Sequence, residues 1–204
     1  MLDLKEEKKL FKKKYKFVAG IDEAGRGPLA GPVVAVCVVI NKDFKITKDL
    51  KEIADSKKLT IKKREELFKS IQNSSFNIGV GICDHKIIDK INILQATFLA
   101  MKKAINSLEK KPDFILLDGN LKIPNINYEQ RTIIKGDSVI FLIATASIIA
   151  KVTRDRIMKK MDEKYPNYFF KDHKGYGTKK HIEMIKKYGP CPIHRISFKP
   201  IKGL

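Results

Sequence analysis

The stretch from residue 17 to residue 40, FVAGIDEAGRGPLAGPVVAVCVVI, decides how this chain is read. It opens as a short apolar run from Phe17 to Ile21 and then sets two acids side by side, Asp22 and Glu23. It turns through Gly25-Arg26-Gly27-Pro28 and resumes as a β-branched apolar run from Val33 to Ile40. The pattern predicts strand, turn, strand. Adjacent acids at the end of a buried strand cost free energy unless something pairs with them. A hard divalent cation is the natural partner for carboxylate oxygen. The glycines of the turn, lacking Cβ atoms, let backbone N–H groups approach a ligand closely. Taken alone, an Asp-Glu pair before Gly-Xaa-Gly also reads as an ordinary polar turn, so the rest of the chain must decide.

Outward from this stretch, residues 1–16 read as a basic, solvated, partly helical leader. Strands are predicted at about 17–22 and 32–40. A helix follows Thr60, a good N-cap, with Ile61, Leu67, Phe68 and Ile71 as its apolar stripe. A third strand is predicted over 76–83 and a long helix over 86–110, stopped by Pro112. The next strand ends at Asp118, and a short one covers 131–135. Gly136-Asp137-Ser138 is predicted to start a helix that runs to about Glu163, buried in its first half. A short helix is expected near 178–187. This order predicts an α/β fold, a mixed sheet with helices on its faces. The expected organisation is the leader 1–16, a catalytic domain over 17–163 and a small helical extension over 164–204 that helps bind substrate.

With 204 residues, 43% apolar and 32% charged, the chain suits one soluble domain with a full core. Its longest apolar run, Val139 to Ala150, is too short to span a bilayer. The charged N-terminus has no apolar signal segment, and it carries acids and no arginine, against a transit peptide. Cys37, Cys83 and Cys191 show no metal or redox spacing and read as reduced, so a cytoplasmic protein is expected. The net charge of +19, from 42 basic and 23 acidic residues, favours a polyanionic partner, nucleic acid first. A generally lysine-rich proteome gives the same excess, and only six of the basic residues are arginine.

Three separate places then offer acids at the ends of apolar elements: Asp22-Glu23, Asp118 before Gly119-Asn120, and Asp137 after Gly136. Each has a local reading, Asp118 as a turn residue and Asp137 as a helix N-cap. Together they predict one carboxylate cluster gathered from distant parts of the chain.

The motifs GIDEAGRGPLAGPVV (20–34), DSKKL (55–59), INILQATFLAMKKAI (91–105), LLDGN (116–120), KGDSVI (135–140), ASIIAKVTRDRIM (146–158), YPNYFFKDHKGYGTKKH (165–181) and GPCPIHRISF (189–198) occur in that order. With them the chain resembles the ribonuclease HII family, type 2 ribonuclease H. The resemblance implies a ribonuclease H-like mixed five-stranded sheet flanked by helices. It implies catalytic and metal-binding roles for Asp22, Glu23, Asp118 and Asp137, with two Mg²⁺ or Mn²⁺ ions about 4 Å apart. It implies hydrolysis of the RNA strand of RNA–DNA hybrids and cleavage 5′ to a single ribonucleotide in duplex DNA. Reading of the 2′-hydroxyl falls to Gly25, Arg26, Gly27 and Tyr176. Without metal, the repelling carboxylates are expected to raise the pKa of at least one of them.

For the phosphates, Ser56, Lys57 and Lys58 precede a helix N-terminus, and Ser147, Lys151 and Arg154 share one helical face. Of these, Ser56, Lys57, Ser147, Lys151 and Arg154 are the expected substrate contacts. Any one lysine also reads as a solvated charge, and Tyr176 as a packed loop aromatic. His173, His181 and His194 lack metal-ligand spacing and read as structural or substrate-adjacent. A monomer without a membrane partner is expected. So is the absence of the longer C-terminal extension of some relatives and of the extra N-terminal domain of ribonuclease HIII. Two other classes remain open: a duplex-binding module without catalysis, and a junction-resolving DNA nuclease.

Overall fold

A computed structural model describes residues 2–54, 56 and 59–202. Strand β1 (Phe17–Ala24) lies at the centre of a five-stranded sheet with β2 (Val33–Asn41), β3 (Asn77–Cys83), β4 (Phe114–Asp118) and β5 (Glu129–Ile133). The order across the sheet is β3-β2-β1-β4-β5. The first three strands form an antiparallel meander, whereas β4 joins β1 in parallel and β5 joins β4 in parallel. The mixed sheet expected from the element order is therefore present. The described residues contain no helix long and apolar enough to cross a membrane.

Strand alternation divides the core in two. Val18, Val34, Val36, Val38 and Leu116 face one side, packed with the first half of α4 (Phe141–Lys164). Ala19, Ile21, Ala35, Cys37, Ile115 and Leu117 face the other, packed with α3 (His85–Asn106). On the first face Gly20 permits very close packing, because a Cβ there would fall inside the backbone of Leu142. α4 is thus drawn tight against β1 just before Asp22.

Several boundaries differ from the sequence reading. The leader is not simply solvated: α1 (Lys5–Lys12) places Leu4 and Leu10 in the core on the α4 side. The helix expected over 86–110 ends at Asn106 and is broken at Asn92, which has φ 64° and ψ 166°. Asn92 Oδ1 accepts the Gln95 N–H at 3.1 Å, so Asn92 caps the second segment. Gly136–Ser138 forms a separate 3₁₀ turn, and α4 starts only at Phe141. Asp137 therefore lies in that turn and is not the N-cap of α4. The C-terminal part adds α5 (Phe170–His173) and α6 (Lys179–Tyr188), capped by Thr178. These pack with Leu29, Ala30 and Met158 in a third apolar cluster.

Candidate active site

The parallel pairing of β1 with β4 sets Ile21 opposite Leu117, so Asp22 and Asp118 follow as neighbours at the same sheet end. Alternation places both on the α4 face, in line with Val18 and Leu116. Asp118 Oδ1 accepts the N–H of Gly136 at 2.7 Å, which draws the 136–138 turn, and with it buried Asp137, to the same corner. Glu23 projects by alternation to the opposite side and pairs with Arg26 at 3.4 Å. Asp22 and Asp118 thus share one sheet face, the turn carrying Asp137 is tied to Asp118 through Gly136, and Glu23 faces the other way.

Asp22 is 5% exposed. Burial, and after it the charges of Glu23 and Asp118, push its carboxyl well above the usual carboxylate range. The Ser147 hydroxyl and the Glu23 N–H, the latter 2.7 Å from Oδ1, oppose that shift. Ser147 Oγ lies 2.9 Å from Ser56 Oγ. If the Ser147 proton serves Asp22, Ser56 donates to Ser147, and the two hydroxyls form a short relay behind the acid. The Ser56 carbonyl is held in turn by Arg64 at 2.7 Å. Ser56 and Ser147 are both buried, with their hydroxyls turned to each other. Their position orients Asp22.

The donor set is all carboxylate oxygen, which suits a hard divalent cation. The raised proton affinity of Asp22, set first by burial and then by the charges of Glu23 and Asp118, is one that a cation would relieve. Among the described residues no three His, Cys, Asp or Glu side chains are already gathered as a metal-holding group. Two oxygens are engaged instead by backbone, Asp22 with Glu23 and Asp118 with Gly136.

Beside the acids, the 25–32 segment is held from below by two buried arginines. Arg154 is 1% exposed and donates to the carbonyls of Pro32 (2.9 Å), Lys174 (3.0 Å) and Ala30 (3.1 Å). It cannot also meet a phosphate, which corrects the expected substrate contact. The helical spacing with Ser147 was read correctly, but the shared face turns inward. Arg195 is fully buried and donates to Gly25 (2.6 Å), Arg26 (2.9 Å) and Gly31 (3.0 Å). Gly25 has φ +100°, and a Cβ there would strike the Arg154 side chain. Sequence reasoning missed Arg195. The available signal was an arginine kept inside GPCPIHRISF in a chain that otherwise uses lysine, since only guanidinium forks several carbonyls at once.

The outer side of the segment is open. The Arg26 side chain is half exposed. Tyr176 is 46% exposed, and its ring edge would lie 3.6 Å from a Cβ on Gly27. Tyr176 is thus not a packed loop aromatic. Lys151 pairs with Asp155 at 2.6 Å and is partly exposed. Lys57 lies outside the described residues.

A family model described as Ribonuclease HII matches residues 19–201. The chain is 55% identical to Ribonuclease HII of Caldicellulosiruptor bescii over 94% of its own length and 91% of the relative's. It is 56% identical to Ribonuclease HII of Acetivibrio thermocellus, covering 94% and 73%. Among solved structures it is similar to ribonuclease H2 from Pyrococcus horikoshii, with TM-score 0.75, 31% identity and coverage of 91% and 95%. A Bst-RNase HIII solved in complex with Mn²⁺ shares the fold at TM-score 0.69 and 19% identity, covering 92% and 68%. On its strand order, its sheet-end acids and these matches, the chain belongs to the ribonuclease HII family and is a ribonuclease H enzyme.

Proposed function

We propose that this chain is an endoribonuclease that hydrolyses the RNA strand of RNA–DNA hybrids and cuts 5′ to a single ribonucleotide in duplex DNA. Its products carry 5′-phosphate and 3′-hydroxyl ends. The observation that supports the reading is that Asp22 and Asp118 end neighbouring parallel strands, with the turn that carries Asp137 tied to Asp118 through Gly136, beside exposed Arg26 and Tyr176.

Asp22, Glu23, Asp118 and Asp137 would hold Mg²⁺ or Mn²⁺, which supplies activation of water and charge stabilisation at the leaving oxygen. The remaining work belongs to the chain itself. Ser147, backed by Ser56, fixes the Asp22 carboxyl. Arg154 and Arg195 fix the course of the Gly25–Gly27 backbone, so that its polar groups can test for a 2′-hydroxyl, the group that separates RNA from DNA. Tyr176, standing over Gly27, offers a ring face to the neighbouring sugar. Lys151 is the remaining candidate for a phosphate. The net charge of +19 supports binding to a polyanion. Unpaired Cys37, Cys83 and Cys191 support a reducing cytoplasmic setting. The enzyme is read as a monomer.

The test is a DNA duplex carrying one ribonucleotide, incubated with Mg²⁺ or Mn²⁺ beside an all-DNA control. Cleavage on the 5′ side of the ribonucleotide, abolished by chelator, is expected. Binding without cutting in either metal would favour the duplex-binding module. Equal cutting of the control would favour a DNA nuclease.

A further inference from the structure

Three histidines lie together under the loop that carries Tyr176, and none is used by the reading above. The His173 and His181 rings stack with centroids 4.4 Å apart, and His181 and His194 lie 5.2 Å apart. His181 is fully buried and His194 is 1% exposed. Phe170 packs against all three rings and Tyr168 sits edge-on to His194.

Hydrogen-bond logic assigns their protons. The N–H of Cys191 points at His194 Nδ1 at 2.8 Å, and a backbone N–H can only donate. His194 Nδ1 is therefore an acceptor, which puts its proton on Nε2. The Cys191 carbonyl, 3.2 Å from the same nitrogen, is served by the His194 N–H at 3.0 Å. His194 Nε2 lies 3.0 Å from His181 Nε2. With the proton on the His194 side, His181 accepts at Nε2 and carries its own proton on Nδ1. That Nδ1–H lies 2.9 Å from the carbonyl of Tyr176. The chain of donors thus runs in one direction: Cys191 N–H to His194, His194 to His181, His181 to Tyr176.

We infer that His194 and His181 are positioning residues, a proton-ordered relay that fixes the backbone of Tyr176 and so aims its exposed ring over Gly27. The inference rests on the reading of Tyr176 as the aromatic that meets the substrate sugar. The loop geometry fits a device of this kind. The Tyr176 N–H donates to the His173 carbonyl at 2.9 Å, and the Tyr176 carbonyl also accepts the Thr178 N–H at 2.8 Å. His173 accepts the Gly175 N–H at Nδ1, 3.1 Å away, and faces the Tyr168 carbonyl with Nε2 at 2.8 Å. The backbone of Tyr176 is thus held on both sides while its ring stays free. Burial pushes both His181 and His194 down to about 4, so each ring is neutral at neutral pH, as the relay requires. A second proton on either ring would set two donors face to face.

The first test needs no variant. Nitrogen-resolved imidazole spectra of the folded chain at neutral pH are expected to show His181 as the Nδ1–H tautomer and His194 as Nε2–H. An Nε2–H His181, or a charged ring at either position, overturns the relay. The second test is kinetic, on the single-ribonucleotide duplex. Asparagine can place an amide N–H near where histidine holds Nδ1–H, so His181→Asn is expected to keep most of the cleavage. His181→Leu is expected to lower kcat/KM about tenfold, and to add little in a Tyr176→Ala background, because coupled residues do not add. Fully additive losses, or a folded His181→Leu with wild-type cleavage beside an impaired Tyr176→Ala, overturn the relay. An unimpaired Tyr176→Ala overturns the tyrosine reading itself, whatever the tautomers. If His181→Leu does not fold, the spectra alone decide.

Discussion

The guanidinium of Arg195 reaches across 170 positions of sequence to the carbonyl of Gly25, 2.6 Å away. Two more of its N–H groups serve Arg26 and Gly31, so the loop after Asp22 and Glu23 is shaped by a residue far along the sequence. Burial and the neighbouring charge of Arg154 push Arg195 down to about 9, which still leaves it charged at neutral pH.

Arg195→Lys keeps a charge but replaces the fork with one compact ammonium. Stranding buried carbonyls is expected to cost about 2–4 kcal/mol of stability. Cleavage should fall at least about tenfold through the displaced loop. Urea unfolding and the single-ribonucleotide assay measure the two effects. Unchanged cleavage in the folded variant would mean that the loop is held adequately by Arg154 alone.

Asp22→Asn is expected to lower cleavage by roughly a thousandfold or more, while duplex binding persists. The same change should stabilise the metal-free protein at neutral pH. The folded carboxyl titrates above its unfolded value, so its contribution is full below the unfolded pKa and is lost as pH rises through the folded one. Thermal melts in chelator across pH, paired with turnover, check both. Retained turnover would remove Asp22 from the site.

Glu7, on α1, is fully buried, and its Oε1 accepts the Leu142 N–H at the start of α4, 3.2 Å away. Its other oxygen is a buried acceptor without a hydrogen bond. Burial pushes this carboxyl up to about 7. Stability from its protonated form is present below about pH 4.5 and is lost as pH rises to about 7, on the order of 3 kcal/mol in all. Glu7→Gln should therefore flatten the stability profile and raise the melting temperature at pH above 7. A parallel profile for the two proteins would show that Glu7 does not titrate in that window.

Tyr176→Ala is expected to lower cleavage at a single ribonucleotide about tenfold, the scale of one lost stacking contact. Binding to all-DNA duplex should be little changed. Cleavage of the single-ribonucleotide duplex and binding to the all-DNA duplex measure the two effects, and unaltered cleavage would assign ribose reading to the Gly-Arg-Gly backbone alone.

Much of the arrangement is written locally. The strand-turn-strand of residues 17–40, the cap at Thr60 and the acids at strand ends follow from apolar periodicity and turn chemistry. The break at Asn92 was missed because the apolar spacing continues on both sides of it, although Asn with Gln three positions on is a capping pattern. The start of α4 falls later than the sequence predicts because Asp137 before Ser138 and an apolar run has the pattern of an N-cap, whereas Gly136–Ser138 closes its own 3₁₀ turn ahead of Phe141.

By itself the sequence determined the element order and the family, because these rest on local patterns and on residue types at fixed positions. Which residue faces which was decided only by tertiary structure. Parallel pairing of β1 and β4 made Asp22 and Asp118 neighbours. Packing of α4 against the 25–32 segment turned Ser147 and Arg154 inward, so that a face read as phosphate-binding became a support for the site. The physical reason is that helical periodicity says which residues share a face, while only long-range packing says whether that face meets solvent or another part of the same chain.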